Sequence, residues 1–300
     1  MKIAWLGTGL MGRPMATRLV NAGHEMVLWN RTEQKARDLA HELKVQVAHS
    51  VPDAVGEADL VFTMLENGAA VESVLIEQGA LDALKPGTTV VDMSSIEPER
   101  ARRLHARAEA GGGHFVDAPV SGGTVGAEAG TLSIMAGGQR AVVEALAPVL
   151  SVLGKVTYIG PPGAGQLCKL ANQAIVGITI GAVSEALLLA ARGGADPSAV
   201  REALMGGFAA SRILELHGER MIRRNFEPGA PARIQLKDMH MIVDEGRNEG
   251  LTLPLSQRVL EMYRELVADG HSEVDHSGLL LALEHLNGVV LGDPKPMNEQ

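Results

Sequence analysis

Three things are scarce in this 300-residue sequence: cysteine, net positive charge and long uncharged apolar runs. The single cysteine, Cys168, excludes an internal disulfide and fits a reducing compartment. The net charge of −9 argues against a nucleic-acid-binding surface, although it leaves small anionic ligands possible. The most apolar stretch, Leu170–Ser184, contains the amides Asn172 and Gln173 and is closed by Glu185, so we predict no membrane span. The strand pattern starts within two residues of the N-terminus, so we also expect no targeting peptide and a cytoplasmic protein.

Short apolar runs alternate with helical patterns through the first half of the chain. The runs predict strands at Lys2–Leu6, Glu25–Trp29, Leu60–Met64, Thr89–Asp92 and His114–Ala118, with edge strands at Leu132–Ala136 and Val156–Ile159. The helical patterns lie at Met11–Ala22, Glu33–Leu43 (with Thr32 as N-cap), Gly68–Gln78, Glu97–Ala110 and Gln139–Leu150. This alternation predicts an α/β Rossmann-type, doubly wound parallel sheet with right-handed crossovers.

The pattern changes at the Gly160-Pro161-Pro162-Gly163 cluster, where we place a domain boundary. We predict a dinucleotide-binding domain at 1–162, an all-α domain for substrate binding and oligomerisation at 163–292, and a loose tail at 293–300. The all-α domain begins with one long helix, Gly165–Ala191, followed by helices at Pro197–Met205, Ser211–Arg223, Ile234–Glu249, Leu255–Asp269 and His276–Leu286. The long helix is apolar nearly all round, which predicts burial on all sides as a bundle axis or a subunit interface. We therefore expect a homodimer or homotetramer.

A glycine-rich loop, Gly7-Thr8-Gly9-Leu10-Met11-Gly12, joins the first strand to the first helix. G-x-G-x-x-G is weak evidence alone, but a strand before it and a helix after it are the context that the dinucleotide fingerprint requires. The first glycine permits the tight turn, the second lets the pyrophosphate approach the backbone, and the third lets helix and strand pack closely. The loop therefore predicts binding of NAD or NADP by Gly7, Gly9, Leu10, Met11 and Gly12.

The end of the second strand indicates which dinucleotide is preferred. An NAD site places Asp or Glu there for the ribose hydroxyls, but this strand ends in Trp29-Asn30-Arg31-Thr32. Arg31 is able to pair with a 2′-phosphate, and Asn30 and Thr32 to hydrogen-bond it. We therefore expect NADP to be preferred, with NAD as the alternative if Arg31 is only a solvated charge that Glu33 neutralises.

Lys169 is the leading candidate for acid–base chemistry because it lies early in a helix that is almost uncharged. Asn172 and Gln173 follow at i+3 and i+4 and share its face. An ammonium donor beside two amides suits a carbonyl or hydroxyl next to a carboxylate, although a structural lysine remains open. A second candidate is the strand-to-turn segment Asp117–Gly123, whose Ser-Gly-Gly turn offers backbone N–H groups and a hydroxyl to an anion.

Four blocks of the sequence resemble the β-hydroxyacid dehydrogenase (3-hydroxyisobutyrate dehydrogenase-like) family in order and spacing. They are Gly7–Met15, Asp117–Gly138, Gly163–Gln173 and Lys237-Asp238, and the resemblance covers essentially the whole chain. The resemblance implies a catalytic role for Lys169, substrate binding by Ser121, Gly122, Gly123, Asn172 and Gln173, and cofactor binding by Met64, Leu65, Ser94, Ser95 and Lys237. We expect the active site where the two domains meet.

Two departures bear on the reaction. Many members have Asn-Asn where this chain has Asn172-Gln173, and this form, with Asp275-His276-Ser277, is similar to the tartronate semialdehyde (2-hydroxy-3-oxopropionate) reductases. By contrast, Asn30-Arg31-Thr32 is similar to the NADP-using glyoxylate and succinic semialdehyde reductases. We therefore expect reduction of tartronate semialdehyde to D-glycerate. A 3-hydroxyisobutyrate, succinic semialdehyde or glyoxylate enzyme remains the alternative, and a non-catalytic NADPH-binding module is the alternative outside enzymes.

The ten histidines show no helical i, i+4 pair and no accompanying cysteine cluster, so we predict no metal.

Overall fold

The computed structural model describes residues 1–292, and the predicted tail at 293–300 lies outside them. The chain divides into two compact units, Met1–Lys169 and the part from Leu170 onward. The helix Ala164–Arg192 begins in the first unit and continues into the second.

The first unit is built on a nine-stranded sheet. Its strands are β1 Lys2–Leu6, β2 Glu25–Trp29, β3 Gln46–Val47, β4 Leu60–Thr63, β5 Thr89–Asp92, β6 His114–Asp117, β7 Val120–Ser121, β8 Leu132–Gly137 and β9 Gly154–Gly160. Its helices are α1 Gly12–Asn21, α2 Glu33–Leu43, α3 Val51–Val55, α4 Gly68–Glu72 (followed by a π-helical turn at Ser73–Glu77), α5 Pro98–Ala110, α6 Gly123–Ala129 and α7 Arg140–Leu150. The strand order is β3-β2-β1-β4-β5-β6-β8-β7, and β9 pairs with β8.

Both faces of this sheet are buried because alternate residues of each strand enter two different cores. In β1, Ile3 and Trp5 belong to one core with α1, α2 and α7, whereas Ala4 and Leu6 belong to the other with α3, α4 and α5. A parallel sheet covered by helices on both faces is a doubly wound fold. The predicted Rossmann-type α/β domain is thereby confirmed.

Some short elements escape the periodicity argument. Strand β3 has two residues and helix α3 has five, too short to show a hydrophobic period. Helix α3 did carry a local signal, since the Ser50 hydroxyl accepts from the Asp53 N–H at 3.2 Å as an N-cap. Thr32 stands at the N-cap of α2 as predicted, but its side chain makes no capping hydrogen bond.

Strand β8 was predicted to lie at the sheet edge, which is wrong. It hydrogen-bonds β6 and β7 antiparallel and β9 parallel, so it lies inside the sheet. The reason is the short reversal through β7 and α6, which returns the chain antiparallel beside β6.

The second unit is helical among the described residues. The helix that enters it is α8 Ala164–Arg192, and it is followed by α9 Pro197–Met205, α10 Arg212–Ile222, α11 Ala232–Asn248, α12 Pro254–Ala268 and α13 Leu279–Asn287, with a 3-10 turn at His276–Gly278. The core of the unit contains Ile180, Leu187, Met239, Tyr263 and Leu280, all nearly inaccessible to solvent.

Helix α8 is not buried on all sides within the chain, so the bundle-axis form of the prediction is wrong. Only 39% of its most apolar stretch is buried, and Ile175 and Leu189 are 67% and 77% exposed. The helix is long and apolar enough to cross a membrane by length and composition alone, which is weak evidence because core helices pass the same test. Its exposed apolar side chains leave open the subunit-interface part of the prediction.

Candidate active site

The carboxyl ends of the central parallel strands gather most of the predicted cofactor residues. Strand β1 pairs with β2 on one side and β4 on the other, so the direction of winding reverses there. Ligands of doubly wound sheets bind outside the carboxyl ends at such a reversal. The glycine loop follows β1, Met64 and Leu65 follow β4, and Ser94 and Ser95 lie just beyond β5.

The three glycines of the loop have the three geometries that a dinucleotide needs. Gly7 has φ +109°, and a Cβ there would lie 2.4 Å from the Met64 carbonyl oxygen. A Cβ on Gly12 would lie 2.0 Å from the Gly7 carbonyl oxygen, so α1 packs directly against the turn. Gly9 is exposed, and a Cβ there would have nothing within 4 Å. The first and third glycines are therefore required by the protein itself, while open space beside the second fits an approaching pyrophosphate.

Asn30 is held by the loops it connects. Its Oδ1 accepts from the Thr8 N–H at 3.0 Å, and its Nδ2 donates to the Thr32 carbonyl at 3.0 Å. One amide therefore ties the glycine loop to the end of β2. Each polar atom of this amide makes one internal hydrogen bond, and the predicted contact of Asn30 with the cofactor stays a prediction.

Arg31 is exposed and makes no ion pair among residues 1–292. Glu33 does not neutralise it, because the Glu33 carboxylate accepts from Arg37 at 2.7 Å and contacts His49 at 2.9 Å. Those contacts hold the pKa of Glu33 below its usual value, chiefly through the hydrogen bond from Arg37. Arg31, Glu33 and His49 line a surface cavity of about 390 Å³. A cationic side chain therefore faces this cavity without an internal counter-ion.

The two loops that contain the predicted cofactor residues Met64, Leu65 and Ser94 are connected to each other by hydrogen bonds. The buried Ser94 hydroxyl accepts from the Leu65 N–H at 2.9 Å, so the loops after β4 and β5 are joined. The Ser94 N–H donates in turn to Asp92 Oδ1 at 3.1 Å. The predicted residues Met64, Leu65 and Ser94 thus form one hydrogen-bonded rim beside Gly7.

Lys169 is buried, with 9% of its surface exposed, and its Nζ donates to the Val120 carbonyl at 2.8 Å. Val120 is the first residue of β7, and Ser121 completes that strand. Gly122 and Gly123 then follow with positive φ of +137° and +61°, the left-handed conformations that turn the chain into α6. The structure therefore brings the predicted catalytic ammonium next to the strand that leads into the predicted carboxylate-binding turn.

In the second unit, Asn172 and Gln173 belong to a hydrogen-bonded chain. Asn172 Nδ2 donates to Gln173 Oε1 at 2.8 Å, and Gln173 Nε2 donates to Asp238 Oδ2 at 2.6 Å and to Gln235 Oε1 at 3.1 Å. Asp238 also pairs with Lys237 at 3.2 Å. Since both N–H groups of Gln173 already donate, its remaining oxygen accepts from Asn172 and orients that amide.

Two buried carboxyl groups lie at the ends of β5 and β6, and neither was assigned a role from the sequence, although Asp117 opens the candidate segment Asp117–Gly123. Asp92 and Asp117 stand opposite each other in register, and burial raises the pKa of each to about 6 against hydrogen bonds that lower it. Asp92 Oδ1 accepts from the Thr63 hydroxyl at 2.7 Å, whereas its buried Oδ2 has no hydrogen-bond partner. Perturbed carboxyl groups at a sheet's ligand-binding edge are typical of functional sites. An apolar strand ending in aspartate was the available signal.

A cluster of His217, Asp275 and His276 has the composition of a metal site, with potential ligand atoms within 4.8 Å of one another. However, the Asp275 oxygens already accept from the backbone of Gly229 at 3.0 Å and from the Ser277 hydroxyl at 2.6 Å. The Arg220 guanidinium also lies 3.7 Å from Asp275, where it opposes a second cation. The cluster is explained as internal hydrogen bonding, and the prediction of no metal stays a prediction.

Comparisons with known proteins agree with this arrangement. Residues 2–160 match the NAD-binding domain of 6-phosphogluconate dehydrogenase, and residues 163–283 match the NAD-binding domain of NADP-dependent 3-hydroxyisobutyrate dehydrogenase. The chain is 45% identical to 2-hydroxy-3-oxopropionate reductase of Escherichia coli (95% of this chain, 97% of the relative). It is 34% identical to 2-(hydroxymethyl)glutarate dehydrogenase of Eubacterium barkeri (96% and 97%). Among solved structures, a Mycobacterium tuberculosis 3-hydroxyisobutyrate dehydrogenase with L-serine superimposes with a TM-score of 0.87 at 33% identity (94% of this chain, 98% of that chain).

Proposed function

Because this chain belongs to the 3-hydroxyisobutyrate dehydrogenase-like family of β-hydroxyacid dehydrogenases, we propose that it reduces tartronate semialdehyde to D-glycerate with NADPH. It is an NAD(P)-dependent oxidoreductase that acts on the CH–OH group of a hydroxy acid. The observation that carries the proposed chemistry is the position of Lys169, 2.8 Å from the carbonyl that precedes Ser121. The relative that is 45% identical supports the choice of substrate.

Each proposed role follows from a group that the chain presents. The Ser121 hydroxyl and the backbone N–H groups of Gly122 and Gly123 bind the substrate carboxylate, as positive-φ turns bind anions. Lys169 donates a proton to the carbonyl oxygen of the aldehyde, and in the reverse direction its neutral amine accepts the proton of the alcohol. The bound dinucleotide supplies or accepts the hydride. Asn172 orients the substrate while Gln173 holds Asn172 in place.

The proposed preference for NADP rests on Arg31. Its guanidinium faces the cavity at the end of β2, and the nearby Glu33 is occupied by Arg37 and His49. A 2′-phosphate would supply the counter-ion, and guanidinium is the side chain best suited to bind it. Because the Glu33 carboxylate is already paired with Arg37 and His49, the cavity lacks the free carboxylate that NAD sites offer to ribose hydroxyls.

We also propose that the protein works in the cytoplasm as a homodimer or homotetramer. The exposed apolar side chains of α8, among them Ile175 and Leu189, support an assembly because a partner would remove them from water. Sedimentation of the purified protein tests this, and a monomer at micromolar concentration would contradict it.

The experiment that tests the substrate is a panel of aldehydes assayed with both reduced coenzymes. Tartronate semialdehyde should give the highest kcat/KM, ahead of methylmalonate semialdehyde, succinic semialdehyde and glyoxylate. A higher value with methylmalonate semialdehyde would favour a 3-hydroxyisobutyrate dehydrogenase, which the structural similarity to the Mycobacterium tuberculosis enzyme supports as the second candidate.

A further inference from the structure

Helix α8, which carries Lys169, begins without a capping side chain of its own. The residues before it are Pro161, Pro162 and Gly163, none of which has a side chain able to accept from the first N–H groups. The cap comes instead from Asp117, at the end of β6. Its Oδ1 accepts from the Gly163 N–H at 2.8 Å and its Oδ2 from the Gln166 N–H at 2.9 Å. A carboxylate there satisfies free donors and lies at the positive end of the helix dipole.

Two glycines make this approach possible. A Cβ on Gly165 would lie 2.3 Å from the Met135 carbonyl oxygen and 2.6 Å from that of Asp117. A Cβ on Gly137 would lie 2.6 Å from the Gly165 N–H nitrogen. Any side chain at either position would push the start of α8 away from β6 and β8. The close contact is therefore built into the sequence at both sides.

Gln166 makes a second connection between α8 and the sheet. Its fully buried side chain donates from Nε2 to the Ser94 carbonyl at 2.9 Å and accepts at Oε1 from the Ile96 N–H at 3.1 Å. Ser94 is also the residue whose hydroxyl holds the loop after β4. Lys169 follows Gln166 by three residues, on nearly the same side of the helix. Gln166 therefore couples the rim formed by Met64, Leu65 and Ser94 to the turn of helix that precedes Lys169.

We propose that Asp117 and Gln166 are positioning residues that set Lys169 relative to the Ser121–Gly123 turn and the Ser94 segment. This inference rests on the proposed function of Lys169. Asp117 fixes where the N-terminus of α8 lies against the end of β6, and Gln166 fixes the rotation of α8 relative to the loop after β5. The hydrogen bond from Lys169 to the Val120 carbonyl then defines the position of the ammonium group. Proton donation depends on such placement, since a shift of about 1 Å is able to lower a rate on the order of 100-fold.

The test uses Gln166→Met, which removes both side-chain hydrogen bonds at similar volume, and Gln166→Glu, which is isosteric. Thr88→Val is the matched control, because it removes one buried hydrogen bond (Thr88 Oγ1 to the Ala58 carbonyl, 3.2 Å) at the opposite end of β5. For each protein, Kd for NADPH is measured by fluorescence titration. The rate of hydride transfer is measured in a single turnover with NADPH and with its deuterated form.

We expect Gln166→Met to slow hydride transfer by about 10- to 100-fold, with a full isotope effect and with Kd for NADPH within about twofold of the parent. For Gln166→Glu, the hydride-transfer rate divided by that of the parent at the same pH should rise as the pH is lowered. The reason is that a protonated glutamate donates to the Ser94 carbonyl and accepts from Ile96 as glutamine does. Asp92, Asp117 and Lys169 are present in both proteins, so the ratio to the parent isolates the new carboxyl group. Gln166→Met should show no such recovery.

Three results would overturn the proposal: parental hydride-transfer rates in Gln166→Met, an equal loss of NADPH affinity and rate, or the same slowing in Thr88→Val. Asp117→Asn gives a second route if Gln166→Met does not fold, since it keeps one acceptor oxygen and should slow hydride transfer in the same way. A Lys169→Met variant distinguishes failure of the proposed role of Lys169 from failure of the positioning role of Gln166 and Asp117. If that variant keeps its rate, the proposed function of Lys169 is wrong; if only the Gln166 and Asp117 variants keep theirs, the positioning role alone is wrong.

Discussion

Replacing Arg31 with alanine is the sharpest test of coenzyme selection, because the structure isolates this side chain. Arg31 is exposed and makes no ion pair within residues 1–292, so its truncation should leave the free energy of unfolding nearly unchanged. Any loss of coenzyme affinity is then attributable to the lost contact between Arg31 and the coenzyme. Removing one partner of a hydrogen bond to a charged group costs about 1.5–3 kcal/mol, which corresponds to about 10- to 150-fold in affinity. Solvent screening of an exposed guanidinium places the effect near the lower limit.

We therefore expect Arg31→Ala to lower kcat/KM for NADPH about 10-fold and to change that for NADH less than twofold. The difference should shrink as salt is raised from about 20 mM to 500 mM, because screening weakens the phosphate contact in the parent. Lys155→Ala is a matched control, since it removes one exposed cation of the same unit, on β9. Equal losses with both coenzymes, or no loss with either, would refute the assignment of Arg31 to a 2′-phosphate.

Three further predictions concern the chemistry and the buried polar groups. Lys169→Met should lower kcat by about 10²- to 10⁴-fold while the Kd for NADPH stays near its parental value, as loss of a general acid requires; a tenfold rise in that Kd would instead indicate a structural lysine. Gln173→Leu should lower kcat/KM for the aldehyde about 10-fold with unchanged coenzyme affinity, because Asn172 loses its orienting bond; steady-state kinetics with Gln257→Leu as control measures this. Burial raises the pKa of Asp92 from 3.8 to about 6, so between these pH values the folded state binds a proton that the unfolded chain releases. The free energy of unfolding should therefore fall by up to about 3 kcal/mol as the pH rises from 3.8 to about 6. Asp92→Asn should flatten that dependence in urea unfolding followed at pH 4 to 8, and an unchanged slope would contradict the shift.

The local features of this protein were predictable because each depends on neighbours in sequence. Strand β1, the glycine loop and α1 occupy one continuous segment, and both the short apolar run and the G-x-G-x-x-G spacing lie within it. The same holds for Lys169 and Asn172, which share a face of α8 because they are three residues apart. Composition did not distinguish burial of α8 within the chain from burial against a partner, since both have the same apolar sequence pattern.

The function of individual polar groups depended on contacts that no local pattern encodes. Arg37, the i+4 neighbour, is the main partner of Glu33, but its second partner His49 lies 16 residues away, and Gln173 is held by Asp238, 65 residues away. The His49 and Asp238 contacts are the ones that sequence does not show. Neither pairing follows from spacing, because it requires a separate element to deliver the partner. Resemblance to a family supplied candidate residues at these positions, but not which of their atoms are already engaged.

The sequence by itself determined, from apolar runs, turn chemistry and motif spacing, that a Rossmann-type sheet binds a dinucleotide. It offered Lys169 and the Ser121–Gly123 turn as two separate candidates, and the resemblance to a family supplied their roles. Only the tertiary structure decided that Asp117 caps the helix of that lysine from 46 residues away and that Gln166 binds the loop of Ser94 across 72 residues. The physical reason is that backbone propensities act over a few residues, whereas capping, buried hydrogen bonds and charge pairing depend on which strand ends the fold brings together.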